Sequence, residues 1–206
     1  MNYRYPDTAI LIFAKAPVPG EVKTRLTPPL KPAQAAILHQ KLVSRTLRMA
    51  TKTALAPVTL YCSPDQNHSY FVECEQTYTI ATAIQQGEGL GARMLHGLES
   101  ALQHKRYAVL IGTDCPAMKQ DYLEEAIQRL RSGSDVIIGP AHDGGYVLIA
   151  MKQAHAELFA DIEWGTDKVF AQTMERIMQA GLQLSLLASM QDIDRPEDLQ
   201  HIKELH

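Results

Sequence analysis

Short apolar runs alternate with longer segments of helical periodicity along the chain. The first run, residues 8–14, is apolar on both alternating faces, which is typical of a strand buried inside a parallel sheet. Similar runs predict further strands at 57–62, 78–84, 107–112, 134–139, 146–151 and 182–187. The segments between them predict a short helix or loop over 65–74 and helices at 33–53, 90–104, 119–131, 166–180 and from Arg195 and Pro196 onward.

This alternation indicates βαβ units, and therefore an open α/β sheet that is mostly parallel. A hairpin-like turn near residues 140–146 interrupts the parallel order. Ligands of such sheets bind at the carboxyl ends of the parallel strands. We therefore expect functional residues in the loops that follow residues 14, 62, 84 and 112.

Length and composition exclude several classes of protein. The 206 residues are 46% apolar and 21% charged, which is the balance of an ordinary globular protein and not of a disordered or collagen-like chain. We expect a single domain over residues 1–206. The net charge of −3 argues against nucleic acid as a partner.

The number of cysteines and the hydropathy of the chain indicate the cellular compartment. The three cysteines include no CxxC pair, so neither a disulfide framework nor a zinc site is expected. No apolar run approaches the ~18–20 residues that span a bilayer, so no membrane partner is expected. These features favour the cytoplasm and leave the oligomeric state open.

The loop after the first strand is basic and rich in proline and glycine. Lys15, Lys23 and Arg25 lie within eleven residues, and Gly20 allows a ligand to approach the backbone closely. Arginine contacts phosphate with a bidentate fork, and lysine with a point charge. The loop lacks the glycine pattern of a Walker or dinucleotide-binding loop. It predicts a polyphosphate cradle; the alternative is a basic loop that only faces solvent.

Asp114 follows an almost wholly apolar strand and is fixed by Pro116 two residues later. A carboxylate at this edge can hold Mg²⁺, which prefers one or two carboxylates together with water and substrate phosphate oxygens. The alternative is that Asp114 caps the next helix. Asp121 is the better candidate for that cap, which favours the metal site. We expect the neighbouring Cys115 to be a buried, inert thiol.

Asp192 and Asp194 follow the last predicted strand. Both carboxylates point to one side if the segment is extended, so they could supply a second metal ligand. The alternative is a helix start, because Asp194 precedes Pro196 and Glu197. If one aspartate caps the helix while the other binds the metal, Asp192 is the one favoured for the metal.

Two short motifs suggest an acceptor site. Asp143 precedes Gly144 and Gly145, and it could bind an acceptor hydroxyl or serve as a base, although a plain tight turn is equally consistent. Trp164, the only tryptophan, lies beside Gly165 and could stack on a sugar or a base, or could anchor the core.

A glycine-rich run precedes the helix predicted at 90–104 and contains Gly91 and Arg93. The amino-terminal end of that helix could face a phosphate group. We therefore include both residues among the candidate nucleotide-binding residues, although this spacing of glycines is a weak signal alone.

Taken in order, these motifs resemble a known family. The segments that carry the likeness are 14–17, 20–26, 112–116, 143–146, 164–166 and 192–194. Together they resemble the small bacterial GT-A-type predicted glycosyltransferases, one branch of which is associated with arsenosugar biosynthesis. More remotely, they are similar to phospholactate guanylyltransferases and to the molybdenum-cofactor guanylyl- and cytidylyltransferases.

The resemblance implies a nucleotide-diphospho-sugar transferase (GT-A) fold with three α/β/α layers. It implies that Lys23 and Arg25 contact phosphate, that Asp114 is the principal metal ligand, and that the segment from Asp192 to Asp194 lies near the same metal. Two departures leave the reaction open. The first loop has prolines at several positions where better-known nucleotidyltransferases have glycines. Asp114 is followed by Cys115 and Pro116, whereas many GT-A glycosyltransferases have a second aspartate there, in an Asp-x-Asp motif.

We therefore expect a transferase that depends on Mg²⁺ (or Mn²⁺) and moves a sugar from a nucleotide-sugar to a small acceptor. Lys23 and Arg25 would stabilise the leaving phosphate, and Asp143 would orient or deprotonate the acceptor hydroxyl. Gly144, Gly145 and Trp164 would bind the acceptor. One alternative is nucleotidyl transfer from a nucleoside triphosphate with release of pyrophosphate; another is a nucleotide-binding module without catalysis.

Overall fold

The computed structural model describes residues 2–205, with side chains as far as residue 200. This part of the chain forms one seven-stranded sheet. Its strands are β1 Thr8–Lys15, β2 Val58–Ser63, β3 Ala81–Ile84, β4 Tyr107–Ile111, β5 Val136–Pro140, β6 Tyr146–Met151 and β7 Leu184–Leu186. Each coincides with one of the apolar runs, so the predicted strands are confirmed to within a few residues.

The sheet has the order β3-β2-β1-β4-β6-β5-β7. All neighbouring pairs are parallel except those of β6, which runs antiparallel to β4 and β5. The predicted hairpin between β5 and β6 is confirmed, and the N–H of Ala141 donates to the carbonyl of Gly145 inside it. Because β6 is antiparallel, it begins at the edge where β1 and β4 end.

Five α-helices cover the two faces of the sheet in the described residues. They are α1 Pro32–Thr51, α2 Ser69–Tyr78, α3 Gly89–Leu102, α4 Gln120–Arg131 and α5 Val169–Gln179. Apolar side chains of α1, α2 and α4 pack on one face, and those of α3 and α5 on the other. The sheet and its two helical layers confirm the expected α/β/α architecture. No described helix is both long enough and apolar enough to cross a membrane.

Two details near the helix ends differ from expectation. The cap residue of α4 is Lys119, and Asp121 lies in the first turn, where its charge favours the positive end of the helix dipole. The last helix begins at Pro196 as predicted, but it is a 3₁₀ helix over Pro196–Leu205. The N–H of Asp198 donates to the carbonyl three residues earlier, which is the 3₁₀ pattern.

A small apolar cluster fixes the segment that follows β7. Ile193 is fully buried against Leu26, Leu38 and Leu42. Its N–H donates to the carbonyl of Asp114 over 2.8 Å. The cluster therefore holds the segment around Ile193 across the carboxyl end of β4, next to the loop that follows β1.

Candidate active site

A cavity of about 460 Å³ lies at the carboxyl ends of β1 and β4. This volume falls within the ~300–1,000 Å³ usual for small-molecule sites. Most of the predicted site residues line it. They are Lys15, Lys23, Arg25, Asp114, Asp143, Gly145, Trp164, Asp192 and Asp194. Glu21 lines it as well, so three basic and five acidic side chains face one space, and its wall carries an excess of negative charge.

Lys23 connects three segments of this wall. Its Nζ atom lies 2.8 Å from Asp114 Oδ1 and also donates to the carbonyl of Ile193. The Lys23 side chain is only 3% exposed, whereas that of Asp114 is 44% exposed. Lys23 therefore holds the loop after β1 against the end of β4, and the Asp114 carboxylate keeps an open side toward the cavity.

Asp192 lies near two other carboxylates, those of Asp143 and Asp114. Burial, together with the negative charges of Asp143 and Asp114, raises the pKa of Asp192 to about 6, and Lys23 offsets only part of this effect. The three carboxylates come from three different segments. A cation bound by Asp114 and Asp192 would reduce the repulsion between these carboxylates.

Arg25 and Asp194 form a second ion pair at the cavity mouth. Arg25 donates to Asp194 Oδ2 at 2.7 Å and to the carbonyl of Gly165 at 3.1 Å. The hydrogen bond to Asp194 raises the pKa of Arg25 above its ordinary value. Asp194 does not cap the last helix. The Asp198 carboxylate accepts hydrogen bonds from the N–H groups of Asp194 and Arg195 instead.

Asp143 forms part of the turn between β5 and β6 and also lines the cavity. Its Oδ1 atom accepts a hydrogen bond from the N–H of Gly145 at 2.8 Å, as in a plain tight turn. The residue also lines the cavity, so Oδ2 is the oxygen left for a ligand. Gly144 has a φ of +89°, and a Cβ on it would lie 2.2 Å from the carbonyl oxygen of Asp167. This glycine is required by backbone packing and does not line the cavity.

Trp164 lines the cavity and lies over Gly91. A Cβ on Gly91 would lie 2.6 Å from Trp164 Nε1 and 2.9 Å from the carbonyl oxygen of Phe159. The indole also packs parallel to Phe159, at 6.5 Å between ring centroids, and edge-on to Tyr146 at 6.3 Å. Gly91 therefore provides space for the indole. The expected contact of Gly91 with phosphate stays a prediction.

Gly20 and Arg93 lie outside the lining of this cavity. Gly20 forms part of the loop after β1 and has a φ of +87°, which suits a glycine. Arg93 donates to the carbonyl of Gly87 at 3.1 Å and to Ser63 Oγ at 3.2 Å. These bonds hold the carboxyl end of β2 near the start of α3. A nucleotide contact by either residue stays a prediction.

The donor set suits a hard divalent cation. Among the described residues, no three His, Cys, Asp or Glu side chains are gathered closely enough to hold a metal ion. Magnesium takes one or two carboxylates and completes its shell with water and phosphate oxygens. Asp114 and Asp192 offer such a pair, and burial together with the neighbouring carboxylates raises the pKa of Asp192.

Cys115 is buried as expected, and burial raises the pKa of its thiol to about 11, which disfavours the reactive thiolate. The sequence-based candidates omitted Gln85 and Leu90, which also line the cavity. A signal was present, since Gln85 comes directly after β3 at the edge where ligands bind.

The family model described as "Uncharacterized protein conserved in bacteria (DUF2064)" matches residues 46–166. The chain belongs to the DUF2064 family. No curated protein sequence matches this DUF2064 member.

Solved structures extend the comparison. The DUF2064 chain is similar to a proposed nucleotide-diphospho-sugar transferase from Desulfovibrio desulfuricans G20, with 27% identity and a TM-score of 0.84 over 97% of this chain and 96% of that one. It is similar to CMP:2-keto-3-deoxy-manno-octonic acid synthetase complexed with CTP, with 12% identity and a TM-score of 0.61 over 97% and 98%. It is also similar to glucosyl-3-phosphoglycerate synthase from Mycobacterium tuberculosis in complex with Mn²⁺, UDP and glucosyl-3-phosphoglycerate, with 10% identity and a TM-score of 0.54 over 97% and 76%.

These likenesses confirm the nucleotide-diphospho-sugar transferase fold expected from the sequence. The likeness to the Desulfovibrio structure supports an enzyme, and the two structures of lower identity show the fold alone. The family resemblance found in the sequence motifs agrees with both comparisons.

Proposed function

We propose that this protein is a metal-dependent transferase that takes a sugar from a nucleoside diphosphate sugar and passes it to a small acceptor. The observation that carries the proposal is the meeting of Arg25, Asp114 and Asp192 in one cavity at the carboxyl edge of the sheet. These residues come from three segments that lie far apart in sequence. A divalent cation and a guanidinium side by side can neutralise the charge of a diphosphate group.

Asp114 and Asp192 would hold Mg²⁺ or Mn²⁺, which would neutralise charge that develops on the leaving diphosphate. Asp194 is assigned a different role, because its carboxylate is already paired with Arg25. Arg25 uses two donors on Asp194 and Gly165, and its remaining N–H groups are available to phosphate oxygens. Lys23 would act by fixing Asp114, since its amine is buried on that carboxylate.

The charge of the cavity favours a diphosphate donor over a triphosphate. Its carboxylates outnumber its basic groups, and both Lys23 and Arg25 already have acidic partners. A triphosphate brings more negative charge and needs more unpaired basic groups. The apolar and aromatic side of the cavity, which includes Trp164, offers a surface for the faces of a sugar ring.

In the proposed reaction the acceptor hydroxyl oxygen forms a bond to the anomeric carbon of the sugar. The bond from that carbon to the diphosphate oxygen breaks, and the nucleoside diphosphate leaves with the electron pair. The acceptor proton passes to Asp143 Oδ2 or to water. Asp143 is suited to this task because its other oxygen is fixed by Gly145.

The proposal is tested by product analysis with two sets of donors. The protein is incubated with Mg²⁺ and pooled small-molecule acceptors, first with nucleoside diphosphate sugars and then with nucleoside triphosphates. We expect a nucleoside diphosphate and a glycosylated product from the first set, and no pyrophosphate from the second. Release of pyrophosphate without sugar transfer would establish nucleotidyl transfer instead. Asp114→Asn should abolish the activity, whereas Glu73→Gln, on the exposed face of α2, should not.

A further inference from the structure

Gln85 has a side-chain amide whose orientation the structure fixes. Its Nε2 atom donates to the carbonyls of Ala14 at 3.1 Å and Tyr61 at 2.8 Å, and its backbone N–H donates to the carbonyl of Cys62 at 2.9 Å. A carbonyl oxygen can only accept, so the NH₂ group must face both strands. The amide therefore links the carboxyl ends of β1 and β2 and cannot turn over without losing both hydrogen bonds.

The remaining polar atom of this amide is an uncharged acceptor at a fixed place. Gln85 lines the cavity, and its Oε1 atom receives no hydrogen bond from the residues described. A fixed acceptor favours a ligand that brings an N–H or O–H group to it. It disfavours a ligand that brings a lone pair, because two acceptors would then face each other without a proton.

The cavity that Gln85 lines also has several apolar side chains. Phe13, Leu90 and Met94 line the same cavity, and the ring of Phe13 stacks on Tyr61 at 5.3 Å. Leu90, in the first turn of α3, is 46% exposed although it is a large apolar side chain. The carboxylates of the proposed metal site come from other segments, after β4 and after β7. A flat group with apolar faces and one polar edge suits this part of the cavity.

We propose that Gln85 selects the nucleobase of the donor, and that it favours bases with a ring N–H at the centre of their pairing edge. This inference rests on the proposed function. Uracil and thymine carry N3–H there, and guanine and hypoxanthine carry N1–H, which can donate to Gln85 Oε1. Cytosine and adenine present a ring-nitrogen lone pair at the same position. A site built around a hydrogen bond rejects the analogue that cannot make it.

Two nearly isosteric pairs of ligands test the inference on the unmodified protein. Calorimetry with Mg²⁺ compares UDP with CDP and IDP with ADP, which differ chiefly in the polarity of that edge. In each pair that binds, we expect the ring N–H member to bind at least about tenfold more tightly. Equal or tighter binding of CDP or ADP would overturn the inference.

The variant Gln85→Met keeps the length of the side chain and removes its polar atoms. In this variant we expect the two nucleotides of each pair to bind with affinities that differ by no more than about twofold. Gln86→Met, at the exposed neighbouring position, should leave the preference for the ring N–H nucleotide intact. A preference that survives in folded Gln85→Met would also overturn the inference. If this variant does not fold, the ligand pairs on the unmodified protein decide alone.

The two proposals fail in different ways. Binding of nucleoside diphosphates without any preference between the bases rejects only the role of Gln85. Absence of binding by all four nucleotides rejects the proposed function, and the role of Gln85 is rejected with it.

Discussion

Lys23 Nζ lies 2.8 Å from Asp114 Oδ1, and the same amine donates to the carbonyl of Ile193. One buried cation thus joins the loop after β1, the end of β4 and the segment between Asp192 and Asp194. The backbone hydrogen bond from Ile193 to Asp114 strengthens this link. The geometry of the proposed metal site depends on it, because Asp114 and Asp192 lie on two of the joined segments.

Lys23→Met tests whether this link stabilises the fold. The variant leaves the Ile193 carbonyl without its side-chain donor, so we expect the free energy of unfolding to fall by about 1–3 kcal/mol. Urea denaturation measures the change. As a control, Lys168→Met removes an exposed ion pair with Glu163 and should cost no more than about 1 kcal/mol. Equal effects of the two substitutions would contradict a structural role for Lys23.

Gly91→Ala tests the position of Trp164. The added Cβ would lie 2.6 Å from the indole nitrogen and 2.9 Å from a backbone carbonyl oxygen, so the indole must move. We expect the variant to lose about 1–3 kcal/mol of stability and to show a shifted emission spectrum. Trp164 is the only tryptophan, so the fluorescence reports on this site alone. An unchanged spectrum and stability would refute the contact, and Glu99→Ala on the exposed side of α3 is the control.

His39 makes stability depend on pH. Its ring is buried, and Nε2 donates to the carbonyl of Lys15 at 2.9 Å, while Nδ1 has no partner in the described structure. Burial lowers the pKa of His39 below its ordinary value of 6.5. The unfolded chain therefore takes up this proton more readily, and stability is lost as the pH falls below about 6.5.

Urea denaturation from pH 8 to pH 5 checks this dependence. His39→Gln removes the titrating group, so we expect its stability to fall less steeply with acid than that of the unmodified protein. The difference between the two proteins should narrow below pH 6.5. His104→Gln, at an exposed position, should keep the original slope. Parallel profiles for His39→Gln and the unmodified protein would exclude a contribution from His39.

The strands could be predicted from sequence because their signal is local. An apolar run such as Ala9–Ala14 predicts a strand that is buried on both faces of the sheet, and these residues are all buried. The rule that ligands bind at the carboxyl ends of parallel strands also located most of the cavity, because these strands share one carboxyl edge. By contrast, the sequence led us to expect the Lys23 amine at a phosphate group. Its contact with the carbonyl of Ile193 could not be predicted, because the two residues lie 170 positions apart in the chain. Likewise, nothing near Gly91 in sequence indicates the indole of Trp164, which lies over it.

The hydrogen bonds of Gln85 likewise join residues that lie far apart in the sequence. Its amide donates to Ala14, which is 71 positions away, and to Tyr61, which is 24 positions away. Composition and spacing identify a glutamine after a strand, but they do not fix which way its amide faces. That orientation depends on the register between β1 and β2, which only the folded sheet establishes.

Calorimetry with UDP and GDP, in Mg²⁺ and in EDTA, tests the central claim that acidic and basic residues bind one diphosphate through a divalent cation. We expect binding in Mg²⁺ that weakens at least about tenfold in EDTA. Asp114→Asn should lower the Mg²⁺-dependent affinity to the value found in EDTA while the protein stays folded, because asparagine keeps an oxygen toward Lys23. Equal affinity in EDTA, or an unchanged affinity in Asp114→Asn, would contradict the account.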